Sequence, residues 1–111
     1  MAPLWCHTRD VEKRRPSFGL EAFRAVCGDP RRLSITTTAL STAAQLGFGR
    51  TEIARVIRSI RRTHFYKSMT SHADHRRWQD VYHVPWEGVT LYVKFTDDVV
   101  TEFVVLSFKE K

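Results

Sequence analysis

The chain has 111 residues, 42% of them hydrophobic, which suits one globular domain and leaves too little sequence for a second core. Its formal net charge is +6, and 13 of its 18 basic residues are arginine. Such surfaces attract polyanions, and guanidinium groups contact phosphate through two N–H groups, so a nucleic-acid partner is indicated. A basic or ribosome-associated protein without that role has the same balance, because net charge reports on partners and not on fold.

The first part of the chain predicts a lead-in followed by a helix. Residues 1–16, with two prolines and a charged run, are expected to form a flexible basic lead-in before a single domain at 17–111. Ser17 is the predicted cap of a helix that continues to about Cys27 and ends at Gly28-Asp29-Pro30. One face of this helix carries Leu20, Phe23 and Cys27.

Two more helices are predicted after an extended segment at Leu33–Thr36. The second runs from Thr37 to Leu46 and ends at Gly47, and the third opens at Thr51. Their buried faces are predicted to hold Leu40, Ala43 and Ala44 in the second helix and Ile53, Val56, Ile57 and Ile60 in the third. The outer face of the third helix carries Arg55, Arg58 and Arg62, which suits a solvated face better than a phosphate-binding one.

The second half of the chain has the two-residue periodicity of strands. Strands are predicted at His64–Met69, Trp78–Val84, Val89–Thr96 and Val100–Lys109, with a turn at residues 85–88 and another starting at Asp97-Asp98. Helices followed by sequential strands are typical of an α+β domain, with about three helices packed on one face of an antiparallel β-sheet.

The alternation of the last two strands predicts which side chains share a face. If they pair as a hairpin, Leu91 and Val93 lie on the core face with the even positions Val104, Leu106 and Phe108. The other face then carries Tyr92 and Lys94 together with Ser107 and Lys109. A phenol and two ammonium groups on one open sheet surface indicate a functional site.

Three blocks of sequence carry a family resemblance. They are FYKSMT at 65–70 with Asp74-His75 following, WQDVY at 78–82, and SFKEK at 107–111. In this order and spacing they resemble the MqsR (motility quorum-sensing regulator) mRNA interferases, and a weaker similarity extends from Glu12 through ALSTAAQLGF at 39–48.

The resemblance implies a RelE-like fold whose RNA site lies on the helix-free side of the sheet. It also implies a toxin of a toxin–antitoxin system that cleaves mRNA at selected sequences, without a ribosome, metal or other cofactor, and that a cognate antitoxin neutralises. The residues implied to be catalytic are Lys67, Gln79, Tyr92 and Lys109. The register prediction places Tyr92 and Lys109 together independently of the resemblance.

These residue types suit metal-free RNA cleavage, because RNA supplies its own 2′-hydroxyl nucleophile. Lys67 and Lys109 can balance the charge of a crowded phosphorane, Tyr92 can donate a hydrogen bond or proton, and Gln79 can orient a phosphate or a base edge. A lysine that served as base would need a lowered pKa, which a second lysine nearby favours. The sequence leaves the identity of the base open. Further RNA contacts are expected from Tyr66, His75, Arg76, Arg77 and Lys94.

Two other chemistries are weaker readings of the sequence. His72, Asp74, His75 and His83 do not have the spacing of a metal site, and Asp74 and His75 are better interpreted as loop-anchoring or RNA-contacting residues. Cys6 and Cys27 can form a disulfide, but two thiols in a reducing compartment are the preferred interpretation. An export signal and a membrane span are both missing from the sequence, so the predicted location is the cytoplasm.

The alternatives to an endoribonuclease are a non-catalytic RNA-binding or translation-interaction module on the same fold and, less favoured, a protein-interaction domain. The basic surface fits all three. Only the complete set of predicted catalytic residues separates the enzyme from the other two.

Overall fold

A computed structural model describes residues 11–71 and 76–111, in which three helices pack against one face of a five-stranded antiparallel sheet. The strands follow one another across the sheet in chain order, β1 to β5. The predicted α+β class is therefore confirmed. The bounds of the elements are β1 Glu12–Lys13, α1 Leu20–Cys27, α2 Thr37–Gln45, α3 Arg50–Ser59, β2 Phe65–Thr70, β3 Trp78–Trp86, β4 Val89–Asp98 and β5 Glu102–Glu110, with a short 3-10 helix at Arg62–His64.

The core lies between the helices and the sheet. Phe23 of α1 stacks on Phe95 of β4, with ring centroids 3.6 Å apart, and meets Phe103 of β5 edge-on. The predicted apolar faces of α1 and α3 are confirmed, because all of their members are buried. Among the described residues, no helix is both long and apolar enough to cross a membrane.

The start of α1 differs from the prediction. The helix begins at Leu20 with Gly19 as its N-cap, so Ser17 is not the cap. The backbone N–H of Ser17 instead donates to the Asp80 carboxylate, and its hydroxyl bonds to that of Ser68. Ser17 therefore makes tertiary contacts with β3 and β2 instead of capping the helix.

Helix α2 ends where predicted but buries a different set of residues. Gly47 has a φ of +88°, the left-handed conformation that stops a helix at little cost in glycine. Ala39 and Ala43 are buried, Leu40 is half-buried and Ala44 is exposed. The predicted burial of Ala44 is wrong, because the helix presents its Ala39–Ala43 side to the core.

The last part of the expected lead-in belongs to the sheet. Glu12 and Lys13 form the edge strand β1, which pairs with Met69 and Ser68 of β2. The backbone of Val11 also exchanges hydrogen bonds with Thr70. Two residues are too few for strand periodicity to show, so β1 could not be predicted from the sequence.

The register between β4 and β5 agrees with the prediction at one end only. Tyr92 pairs with Lys109 and Lys94 with Ser107, so these four residues share one face of the sheet, as predicted. Beyond Lys94 the register shifts, and Leu106 is the extra residue of a β-bulge. On the far side of the bulge Phe103 and Val105 are buried while Val104 and Leu106 are half-exposed, so the core positions predicted for Val104 and Leu106 are wrong.

The first hairpin turn is tighter than predicted, and the second lies two residues further along the chain. Strand β3 continues through Trp86, and the β3–β4 turn is Glu87-Gly88, in which both residues have positive φ. Two such residues form the type I′ turn that matches strand twist. Asp98 ends β4 rather than lying in the next turn, and its carboxylate accepts hydrogen bonds from the backbone of Val100 and Thr101.

Candidate active site

Strand β3 divides its side chains between the two faces of the sheet. Tyr82 and Val84 belong to the core under the helices. The alternate positions Gln79, Val81 and His83 therefore point to the opposite, helix-free face. Every candidate catalytic side chain considered below lies on this open face.

Three aromatic rings cross the open face from β2 to β4. Tyr66 stacks on His83 with ring centroids 4.1 Å apart and planes inclined by 22°. His83 in turn lies 5.9 Å from Tyr92. A register shift in β2 between Phe65 and Lys67 makes this possible, because the bulge lets Tyr66 and Lys67 share one face although they are consecutive.

Basic groups lie over the ends of this aromatic row. The Lys109 ammonium is 5.1 Å from the centre of the Tyr92 ring, and the Lys67 ammonium is 5.3 Å from that of Tyr66. The resulting group, here called the aromatic–lysine cluster, consists of Tyr66, Lys67, His83, Tyr92 and Lys109. Residues from four strands thus form one patch of rings and positive charge.

Lys67 is the best-fixed cation of the cluster. Its ammonium is paired with the Glu12 carboxylate of β1, and its side chain is only 16% exposed. The hydrogen bond to Glu12 is the main reason that the pKa of Lys67 is raised above its ordinary value, against the opposing effect of burial. Lys67 therefore carries its proton at neutral pH and suits charge stabilisation.

The pKa values of two rings of the cluster, Tyr92 and His83, are shifted in opposite directions. Burial raises the pKa of Tyr92, with Lys67 opposing, so its hydroxyl keeps its proton at neutral pH. Burial also lowers the pKa of His83, and the charges of Lys111 and Lys67 lower it further. Neutral His83 is thus a proton acceptor beside a phenol that is a donor.

Gln79 lies apart from the aromatic–lysine cluster. It is four residues from His83 along β3, a distance of about 13 Å. With Ser71, Arg77, Thr96 and Leu106 it lines a cleft of about 210 Å³. The Gln79 side-chain oxygen is buried and has no hydrogen-bond partner within residues 11–71 and 76–111. The bulge at Leu106 brings an apolar side chain to the same cleft.

The other predicted RNA contacts have different surroundings. Lys94 lies between the cluster and the Gln79 cleft, opposite Ser107 on β5 and Val81 on β3. The Arg77 guanidinium donates to the backbone oxygen of Asp97, and Arg76 is exposed. His75, together with His72 and Asp74, lies outside the described residues. In the part of the chain that is described, no three His, Cys, Asp or Glu residues come close enough to hold a metal ion.

His83 is the member of the cluster that sequence reasoning missed. The sequence suggests for His83 only a weak metal or acid–base role at the far end of a group of histidines, and its neighbours in sequence, Tyr82 and Val84, are ordinary core residues. The alternation of β3 already placed it on the face of Gln79. Its pairing with Tyr92 depends on the β3–β4 register, which the tight turn at Glu87-Gly88 fixes.

Comparisons with known proteins identify the family of the chain. Residues 15–110 match the family model described as "Motility quorum-sensing regulator, toxin of MqsA". The chain is also 35% identical over 101 residues to the mRNA interferase toxin MqsR of Escherichia coli (strain K12), an alignment that covers 91% of this chain and 100% of the relative. The chain belongs to the MqsR (motility quorum-sensing regulator) toxin family.

Proposed function

We propose that the chain is the toxin of a toxin–antitoxin system, an endoribonuclease that cleaves mRNA in the cytoplasm through the 2′-hydroxyl and needs neither metal ion nor ribosome. The observation that carries the proposal is the aromatic–lysine cluster on the open face of the sheet. The name of the Escherichia coli relative, an mRNA interferase toxin, supports the same activity here.

The cluster supplies what cleavage by the 2′-oxygen requires. The 2′-oxygen attacks the adjacent phosphorus, the bond to the 5′-oxygen breaks, and the products are a 2′,3′-cyclic phosphate and a 5′-hydroxyl. Negative charge builds up on the phosphorane. Lys67 and Lys109 lie over the two ends of the aromatic row, so a phosphorane bound over the row would lie between two positive charges. Such fixed charges stabilise the transition state without having to reorganise.

The roles of the remaining predicted residues follow from their protonation and position. Tyr92 keeps its hydroxyl proton and can give it to the leaving 5′-oxygen. Lys67 acts as a charge and not as the base, because its pair with Glu12 raises its pKa rather than lowering it. Gln79 is too far from the cluster to touch the same phosphate and instead reads a base edge of a neighbouring nucleotide in its cleft.

The aromatic row is suited to binding single-stranded RNA. Unpaired bases stack on exposed aromatic rings, and Tyr66 is 41% exposed over its stack with His83. Lys94, Arg76 and Arg77 would contact phosphates along the path from the cluster to the Gln79 cleft, and His75 is a further proposed RNA contact from its sequence position alone. The Arg14 guanidinium, 6.0 Å from the Tyr66 ring, adds a further cation at the β1 edge.

The test is to incubate the purified chain with a defined single-stranded RNA in EDTA and to sequence the new 5′ ends. Discrete cuts that leave 5′-hydroxyl ends are expected. An RNA that is bound but left intact would instead support the non-catalytic RNA-binding module. The matched control is Arg31→Gln, an exposed arginine between α1 and α2 that belongs to neither the aromatic–lysine cluster nor the Gln79 cleft, and it should leave the cuts unchanged.

A separate antitoxin protein is the proposed regulator and binding partner. Complementary charge speeds association and disfavours wrong partners, so its contact surface should be acidic to match the net charge of +6. Expression of the chain alone should stop growth, and co-expression of the neighbouring gene should restore it. Normal growth at confirmed high levels of folded protein would contradict the toxin assignment.

A further inference from the structure

His83 occupies the centre of the aromatic–lysine cluster. Its imidazole lies between the rings of Tyr66 and Tyr92, stacked on the first and tilted toward the second. In the sheet it is paired directly with Tyr92, which is itself paired with Lys109. A nucleotide phosphate held between the two lysines would therefore be in reach of this ring.

We infer that His83 is a catalytic residue that accepts the proton of the RNA 2′-hydroxyl during cleavage. The inference rests on the endoribonuclease function proposed above and names the base that this function requires. The geometry favours His83 because Lys67 is committed to Glu12 and Tyr92 holds its own proton. Imidazole is then the side chain of the cluster that can take up a proton at neutral pH.

The proton balance of the step closes within the cluster. The 2′-O–H bond breaks and its proton moves to a ring nitrogen of His83, while the 2′-oxygen forms a bond to phosphorus. The bond from phosphorus to the 5′-oxygen then breaks, and that oxygen takes the hydroxyl proton of Tyr92. Proton exchange with water returns both side chains to their starting states, so no further reactant is needed.

The charged and titratable groups around His83 come from each neighbouring element. Strand β2 contributes Tyr66 and Lys67, β4 contributes Tyr92, and β5 contributes Lys109. Lys111, beyond the end of β5, and Lys67 both lower the pKa of His83, after the larger effect of burial. None of the groups that shift His83 is a carboxylate, and Glu12 is engaged by Lys67. The surroundings therefore keep the imidazole neutral near pH 7.

The experiment measures single-turnover cleavage by the full chain in EDTA between pH 5 and pH 9, for the wild type and for His83→Gln and His83→Phe. The wild-type rate should fall only at pH values below the ordinary pKa of histidine, about 6.5, because the pKa of His83 is lowered. Both variants should cleave about 100-fold to 10,000-fold more slowly and lose this acidic limb. Affinity for the same RNA with a 2′-deoxynucleotide at the cut site should change by no more than about 3-fold for His83→Phe, which keeps a ring for stacking.

Four outcomes would overturn the inference. Cleavage by His83→Gln within about 5-fold of wild type, or an unchanged acidic limb, would remove His83 as the base. A loss of affinity in His83→Phe as large as the loss of rate would reduce it to a stacking ring. If neither variant folds, the His83 signal in an NMR titration of the wild type decides, since a midpoint above its ordinary value would leave it protonated and unable to act. Wild-type protein that fails to cut any RNA would instead defeat the proposed function itself.

Discussion

Lys67 shows how one neighbour decides the chemistry of a side chain. A lysine among other cations tends to lose its proton more easily, which is why a lysine base was conceivable from the sequence. Glu12 reverses that expectation, because the hydrogen bond between the two groups favours the charged ammonium. The partner comes from β1, a strand of two residues that the sequence did not reveal.

Tyr82 places its hydroxyl group inside the core. It is fully buried, and its hydroxyl has no hydrogen-bond partner within the described residues. Burial raises its pKa to about 12, compared with 10.0 for the ordinary group. Between these values the unfolded chain loses a proton that the folded chain keeps, so the free energy of unfolding falls as the pH rises.

We therefore expect Tyr82→Phe to be as stable as wild type at pH 8, or up to about 1 kcal/mol more stable. The buried hydroxyl has no hydrogen-bond partner among the described residues, so its removal loses no hydrogen bond. Above pH 10 the variant should lose less stability than wild type. Urea unfolding at several pH values measures both effects. A variant that is clearly less stable at pH 8 would show that the hydroxyl makes a stabilising contact.

Strand β3 is the element that joins the core to the open face. Its buried Asp80 accepts hydrogen bonds from the backbone N–H groups of Ser17 and Phe18, and so anchors the chain that leads into α1. Its other face carries Gln79 and His83 on the helix-free side of the sheet, where both are partly buried. Strand β3 therefore holds both the segment that leads into α1 and two residues of the candidate site.

Asp80→Ala should lower the free energy of unfolding by about 3 kcal/mol, because it leaves two backbone donors without their charged acceptor. Asp97→Ala, at an exposed carboxylate, is the matched control and should cost about 0.5 kcal/mol or less. Chemical denaturation of both variants measures the difference. Equal, small losses would mean that water replaces Asp80 at the start of α1.

Features that depend on local sequence patterns could be predicted, whereas features that depend on tertiary contacts could not. The apolar periodicity of α3 and the alternation through Leu91, Tyr92 and Val93 are local, so these elements and the pairing of Tyr92 with Lys109 could be predicted. The bulge at Leu106 could not, because an extra residue breaks the alternation without leaving a turn signal. For the same reason the bulge at Tyr66, which completes the cluster, is visible only in the fold.

Within residues 11–71 and 76–111, basic residues lie on both layers, and the open face adds the aromatic row of Tyr66, His83 and Tyr92. If RNA lies across this face, affinity should fall steeply and log-linearly as salt rises, because each phosphate contact releases counterions. Neutralising Arg76 and Arg77 together should reduce the slope by about 1 to 2. Filter-binding at several salt concentrations checks this, with Arg31→Gln, between α1 and α2, as the control that leaves the slope unchanged.

The central claim is that the open face of the sheet cleaves RNA through the 2′-hydroxyl. Its most direct test compares wild type, Tyr92→Phe and Arg31→Gln in EDTA on one RNA and on the same RNA with a single 2′-deoxynucleotide at the mapped cut. We predict cuts by wild type and Arg31→Gln, a loss of rate of about 100-fold in Tyr92→Phe with binding retained, and no cut at the deoxy position by any of them. Cleavage at the deoxy position, or a Tyr92→Phe rate equal to that of wild type, would contradict the account.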